Sequence, residues 1–139
     1  MARIIIDLPA SFSFTATIPV RITDLNYGGH VGNDTILSII HEARVQFLQS
    51  FGYSEKDLGG TGMIMSDVVI NFKNELFYGG VISASVGVTN ISRASFDLVY
   101  VLKNEGLLIA EAKTGMVCFD YEKRKVTAIP EEVRQRFQQ

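Results

Sequence analysis

Between residues 24 and 44 the chain reads Asp-Leu-Asn-Tyr-Gly-Gly-His-Val-Gly-Asn-Asp-Thr-Ile-Leu-Ser-Ile-Ile-His-Glu-Ala-Arg. An amide, an imidazole and several carboxylates gather there around three glycines. Gly28, Gly29 and Gly32 permit backbone conformations closed to other residues and let a ligand approach the main chain. Asn33 has the side chain of an N-cap, and Asp34 suits the positive end of a helix dipole. The pattern implies a loop that delivers backbone N–H groups to a helix N-terminus, where a carbonyl oxygen or a phosphate can be held. His30 can polarise a carbonyl or position a water, or simply brace the loop. Asn26 can orient water or substrate, or hold an Asx turn. Asp34 and Glu42 can assist a water by taking its proton. Their plainer readings are a first-turn charge for Asp34 and, for Glu42, a partner of Arg44 or a solvent-facing group. Asp24 reads as a brace of the loop and His41 as a helix-face residue. His30, His41 and a carboxylate show no metal-ligand spacing, and no metal is expected.

These groups must be positioned by what flanks them. Residues 11–23 alternate, with Phe12, Phe14, Ala16, Ile18, Val20 and Ile22 on one face, which predicts a half-buried strand. Pro19 marks an edge position or a bulge in it. The glycine loop leads into a helix over about 33–51. One broad half of that helix carries Ile36, Leu37, Ile39, Ile40, Ala43, Phe47, Leu48 and Phe51. Arg44 projects among them and needs a carboxylate or backbone carbonyls as partner. Gly52 is placed to stop the helix. Four strands follow, at about 63–73, 81–91, 94–103 and 107–121, with Asn104-Glu105-Gly106 as a hairpin turn. Their short connections favour antiparallel neighbours. A short polar helix over 131–137 follows Pro130. One long helix beside a large antiparallel sheet suggests that the sheet curls around it. Val99 and Val101 make the other sheet face apolar as well, which points to a second subunit.

The totals exclude several classes. The chain has 139 residues, 47% apolar and 20% charged, with a formal net charge of −2. That fits one domain, 1–139, and argues against nucleic-acid or membrane-surface binding. Cys118 is the single cysteine, which excludes an intrachain disulfide and a multi-cysteine zinc site. No apolar run approaches bilayer length and no signal peptide is evident, so a cytoplasmic protein is expected. The loop also lacks the Gly-x-x-x-x-Gly-Lys-Ser/Thr pattern of nucleotide phosphate sites. Met63, Met65 and Met116 can line a pocket for a flexible apolar group or serve as core. Lys123-Arg124-Lys125 reads either as a solvated hairpin tip or as a contact for phosphates.

Asp-Leu-Asn-Tyr-Gly-Gly-His-Val-Gly-Asn at 24–33 resembles the Asp-x-Asp-x-x-Gly-His-Val-Asn-Asn signature of 4-hydroxybenzoyl-CoA thioesterase-like proteins. His-Glu-Ala-Arg at 41–44 is similar to that family's Glu-x-Ala-Arg, and 74–80 to a segment joining two of its strands. The resemblance spans about 15–130. It implies an α+β hotdog fold, a five- or six-stranded antiparallel sheet wrapped around one long central helix. It further implies acyl-CoA or acyl-carrier-protein thioester hydrolysis at a subunit interface, in a homodimer or homotetramer. Coenzyme A would then be part of the substrate, and no separate cofactor is implied. Asn26, His30, Asp34 and Glu42 become the candidate catalytic residues. Tyr27, Gly28, Gly29, Val31, Gly32 and Asn33 become the candidate substrate-binding residues. Two departures stand out. The family's catalytic Asp is Asn26 here, an amide that cannot act as base, and the first Asn of the Asn-Asn pair is Gly32. A binding protein without turnover, or a dehydratase of hydroxyacyl thioesters, are the rival readings.

Overall fold

A computed structural model describes residues 4–139. The elements run β1 Phe14–Pro19, a 3-10 turn Ile22–Asp24, α1 Asn33–Gln49, β2 Gly62–Phe72, β3 Val81–Thr89, β4 Ser95–Asn104, β5 Leu107–Asp120, β6 Lys125–Val126 and α2 Glu131–Phe137. All strand pairs are antiparallel, in the order β1-β3-β4-β5-β2, with β6 added to the end of β5. α1 lies on the inner face over β1 and β3. Its buried residues are Ile36, Ile39, Ile40, Ala43, Arg44, Phe47 and Leu48, spaced three and four apart as one helical stripe requires. The strands answer with Ala16, Ile18, Ala84, Val86, Phe96, Leu98, Leu102, Ala110, Ala112 and Met116, all buried.

The alternation at 11–23 overreaches at both ends. β1 keeps only its middle and occupies a sheet edge, as Pro19 implied. Ile22 falls in the 3-10 turn and is exposed. Phe12 leaves the strand line and packs instead on Gly87, whose bare Cα leaves room for the ring. α1 stops two residues short of the expected 51, and Gly52, at φ +79°, turns the chain just beyond it. The two-residue β6 falls below what alternation can reveal.

Arg44 finds the partner it needs. Its Nε donates to Glu55 Oε2 at 3.3 Å and its Nη1 to the Tyr100 hydroxyl at 3.3 Å. Tyr100 and the buried Thr114 share a hydrogen bond of 2.7 Å, and His41 meets the other Glu55 oxygen at 2.7 Å. Burial pushes the Tyr100 phenol above its usual pKa, with the Arg44 charge pulling the other way. The chain of contacts ties α1 to β4 and β5 through the core. Arg44→Leu would strip Tyr100 and Glu55 of their shared donor, and we predict a loss of about 2–3 kcal/mol in urea unfolding. Arg44→Lys would recover only part, because an ammonium cannot reproduce the planar fork.

Candidate active site

The loop between the 3-10 turn and α1 is held by its own backbone. The Asn26 N–H donates to the His30 carbonyl at 2.8 Å, and the Gly29 N–H to the Asn26 carbonyl at 3.1 Å. Leu25 and Val31 face each other as an isolated antiparallel bridge, and the Val31 N–H donates to the Leu76 carbonyl at 2.8 Å. Gly29 takes φ +84°, a conformation that costs glycine little. Asp24, buried, accepts from the Arg21 N–H at 2.7 Å and from its guanidinium at 3.1 Å, so it braces the entry to the loop.

The helix then starts with its donors unused. The first bond of the ladder runs from the Ile36 N–H to the Gly32 carbonyl at 3.1 Å. The N–H groups of Asn33, Asp34 and Thr35 have no acceptor in the ladder, and no side chain among the described residues caps them. Asn33 was expected as the cap. Gly32 is the N-cap instead, and Asn33 is the first helical residue.

Two of the candidate residues converge beside Gly32. A Cβ placed on Gly32 would lie 2.6 Å from Asp34 Oδ1, 3.6 Å from Asn26 Cβ and 3.8 Å from Asn26 Nδ2. Gly32 has φ −72° and ψ 157°, which any residue can adopt. Glycine here thus serves space rather than backbone conformation, and the space it leaves is taken by the Asp34 carboxylate. Asn26 spends its Oδ1 on the Gly28 N–H at 2.8 Å, the Asx turn foreseen for it, while its Nδ2 faces Gly32. His30 Nδ1 lies 3.1 Å from the Val31 carbonyl. A carbonyl only accepts, so Nδ1 carries the proton and Nε2, beside Gly28, is the free acceptor. In that tautomer His30 can receive a hydrogen bond from water or an amide and cannot donate to a carbonyl.

Cavities lie on two sides of α1, one at its first turn and one along its middle. One of about 220 Å³ is lined by His30, Val31, Asn33, Ile36, Phe72 and Ile109, together with the 73–76 segment. The other, about 380 Å³, opens toward β1 and includes Arg21, Asp24, Ser38 and Glu42. Glu42 accepts from Gln46 Nε2 at 2.6 Å and has no bond to Arg44. It stands eight residues after Asp34, about 12 Å along the helix. The protomer thus groups Asn26, Gly28, Gly32 and Asp34 at the helix mouth, sets His30, Val31 and Asn33 in the adjoining cavity, and places Glu42 on the other flank. Tyr27 points fully into solvent. Cys118 is buried in the core, where desolvation raises its thiol pKa and disfavours the thiolate.

Sequence reasoning missed Glu55, Tyr100 and Thr114. Tyr100 and Thr114 were legible as polar breaks in inner-face runs otherwise made of Phe96, Leu98 and Leu102, or Ala110, Ala112 and Met116. Nothing local marks Glu55, whose partner lies eleven residues away.

A curled antiparallel sheet gripping one long helix, with a glycine loop at the helix mouth, is the architecture of a hotdog-fold protein. The sequence profile of the Thioesterase-like superfamily matches residues 20–137, and the chain belongs to that family. Similar proteins include the 1,4-dihydroxy-2-naphthoyl-CoA hydrolases of Microcystis aeruginosa and Nostoc punctiforme. The first is 30% identical over 118 residues, covering 83% of this chain and 86% of the relative. The second is 27% identical over 126 residues, covering 88% and 85%. Among solved structures, a 1,4-dihydroxy-2-naphthoyl-CoA thioesterase from Synechocystis superposes with a TM-score of 0.79 at 24% identity, covering 88% of this chain and 92% of that one. A thioesterase from Thermus thermophilus, complexed with coenzyme A and Zn, gives 0.80 at 20% identity, covering 93% and 100%.

The role of Gly32 can be tested directly. Gly32→Ala has no backbone strain to overcome, so the protein should melt within a few degrees of the parent in a thermal scan. Its added methyl must move the Asp34 carboxylate, and any activity that uses that carboxylate should fall by about tenfold or more, since about 1.4 kcal/mol is a factor of ten.

Proposed function

We propose that this protein hydrolyses acyl-CoA thioesters, with the thioester carbonyl held at the mouth of α1. The observation that carries the reading is the convergence of Asp34 and Asn26 beside Gly32, next to the unused N–H groups of the first helical turn. In this reading the free N–H groups and the positive end of the helix dipole receive the carbonyl oxygen as negative charge develops on it. Asn26 Nδ2 and His30 Nε2 hold a water. Asp34 takes a proton from that water as its oxygen bonds to the carbonyl carbon. The C–S bond then breaks, and the proton passes to the departing thiolate, leaving a free acid and a thiol. Asp34 thereby stands in for the carboxylate that position 26 lacks, and no separate cofactor enters. Glu42 is the alternative base only if a second copy carries it into this site.

The acyl group would enter the cavity bounded by Ile36, Phe72, Leu76 and Ile109. The relatives' names make aromatic acyl-CoAs the first substrates to test. A homodimer formed through β2 fits this site. β2 ends the sheet, and its Ile64, Met65, Val68 and Phe72 are 37–43% exposed, a long apolar edge that a folded protein must cover. Antiparallel pairing of two β2 strands would bring the second copy's 123–125 turn toward this protomer's helix mouth. Those three basic residues then suit the coenzyme A phosphates.

Purified protein with a panel of acyl-CoAs and a thiol-detecting reagent tests the activity. We expect turnover, and a fall in kcat of about 10²–10⁴-fold in Asp34→Asn. Full activity in that variant would remove Asp34 from the mechanism. Acyl-CoA that raises the melting temperature without being consumed would establish the binding-only reading. Under that reading Asn26→Asp should create activity.

Val68→Lys should leave the fold intact and shift sedimentation from dimer to monomer. Replacing Lys123, Arg124 and Lys125 together by Ala should raise KM for acyl-CoA. KM should not change for an acyl-N-acetylcysteamine thioester, which carries no phosphate.

A further inference from the structure

β3 outruns its edge partner. The β1–β3 pairs run from Pro19↔Val81 to Phe14↔Val86, and β3 continues to Thr89. The Val20 N–H donates to the Gly80 carbonyl at 3.0 Å, and every second residue of an antiparallel pair repeats that direction. The N–H and C=O of Val88 therefore point to the side that β1 has left. The register places Phe12 opposite them, yet residues 12 and 88 share no backbone hydrogen bond. No other loop backbone group among the described residues bonds Val88.

Phe12 has turned the other way. Its ring lies over the outer face, 3.2 Å from where a Gly87 Cβ would sit. By strand alternation it is in phase with Phe14, Ala16 and Ile18, whose side chains join the core under α1. A cavity of about 520 Å³ wraps the open edge of β3, from Phe12 and Gly87 on one side to Phe47, Phe51 and Phe137 on the other. Phe47 stands in the last turn of α1 and Phe51 just beyond it. Those two rings and that of Phe137 lie with centroids 5.2, 5.3 and 6.0 Å apart. Phe14 already meets Phe47 at 5.5 Å, and a Phe12 ring on the inner face would stand next in that row.

Two seats thus compete for one ring. The outer seat uses the bare Cα of Gly87 and leaves the Val88 pair unmade. The inner seat lengthens β1 by two residues, completes that pair and adds the ring to the aromatic cluster. Ser11 and Ser13, which flank the ring, are exposed, and neither seat requires burying them.

We propose that residues 11–13 are a latch with these two positions. Open, it leaves a cavity and a free strand edge. Closed, Phe12 fills the cavity and ties the edge of the sheet to the end of α1 opposite the mouth. Gly87 sets the balance, because any side chain there crowds the outer seat. The latch operates whether or not the protein hydrolyses thioesters.

The test reads the Val88 N–H by residue-resolved hydrogen exchange in the full chain, in Gly87→Ala and in Gly87→Ala combined with Phe12→Ser. Gly87 does not use a positive φ, so alanine fits its backbone and the methyl drives the ring off the outer face. Gly87→Ala should slow exchange at Val88 by about tenfold or more. Nuclear Overhauser contacts of the Phe12 ring should move to Phe51 and Phe137. The double variant should lose both effects. Should Gly87→Ala fail to fold by circular dichroism, the parent carries the test: relaxation dispersion should show exchange at residues 12, 87 and 88 that Phe12→Ser abolishes. Three results would overturn the latch. They are parental exchange at Val88 in folded Gly87→Ala, protection that survives in the double variant, and parental dispersion that is flat or indifferent to Phe12→Ser.

Discussion

Everything at the mouth of α1 depends on one mismatch: the helix begins where its first donors have nothing to bond. A helix always leaves N–H groups unpaired at its start, and most proteins cap them with a side chain. Here the capping position is glycine, and the side chains that could cap are turned elsewhere. The Asn26 oxygen is committed to the Gly28 N–H, and the Asp34 carboxylate lies over Gly32. The loop is nevertheless firmly seated, by the Leu25–Val31 bridge and the bond from Val31 to Leu76. Rigid support combined with uncommitted donors is what a site for a developing oxyanion needs, because nothing has to reorganise when the charge appears.

Around that mouth the fold separates three duties. The inner sheet face and the stripe of α1 make the core. Within it the Arg44–Tyr100–Thr114 contacts fix the helix against β4 and β5, so the mouth cannot slide along the sheet. The β2 edge is long and unpaired in the protomer, and its last residue, Phe72, lines the cavity together with Ile109. The outer face is crossed by the chain's own N-terminal arm, from Asn71, which bonds the Ile4 carbonyl, to Gly87, which the Phe12 ring covers. A sheet that is apolar on both faces was reason to expect a second subunit, and part of that need is met within the chain.

Much of this was legible in the residues. The strict alternation of the strands and the three-and-four spacing of α1 reported their buried faces, because burial imposes those periods directly. Arg44 announced an ion pair by standing in an apolar stripe, but Glu55 could not be named, since pairing across a loop leaves no periodic trace. Gly32 looked like one of three interchangeable glycines. The structure separates them: Gly29 is there for its positive φ, Gly32 for the room it leaves a carboxylate. Asn33 looked like the cap because residue type cannot tell the last loop position from the first helical one. Phe12 fitted the alternation of β1 and left it, because a missing side chain on a neighbouring strand offered a better pocket. Tertiary space, absent from any local pattern, decided each of these.

The central claim is that main-chain donors at the start of α1 polarise a thioester carbonyl. The direct test is the infrared difference spectrum of an isotope-labelled acyl-CoA carbonyl bound to the slow Asp34→Asn protein. If the donors grip the oxygen, the carbonyl stretch falls below its frequency in water. A bound carbonyl that absorbs at or above its frequency in water would contradict the account, whatever the rate of hydrolysis.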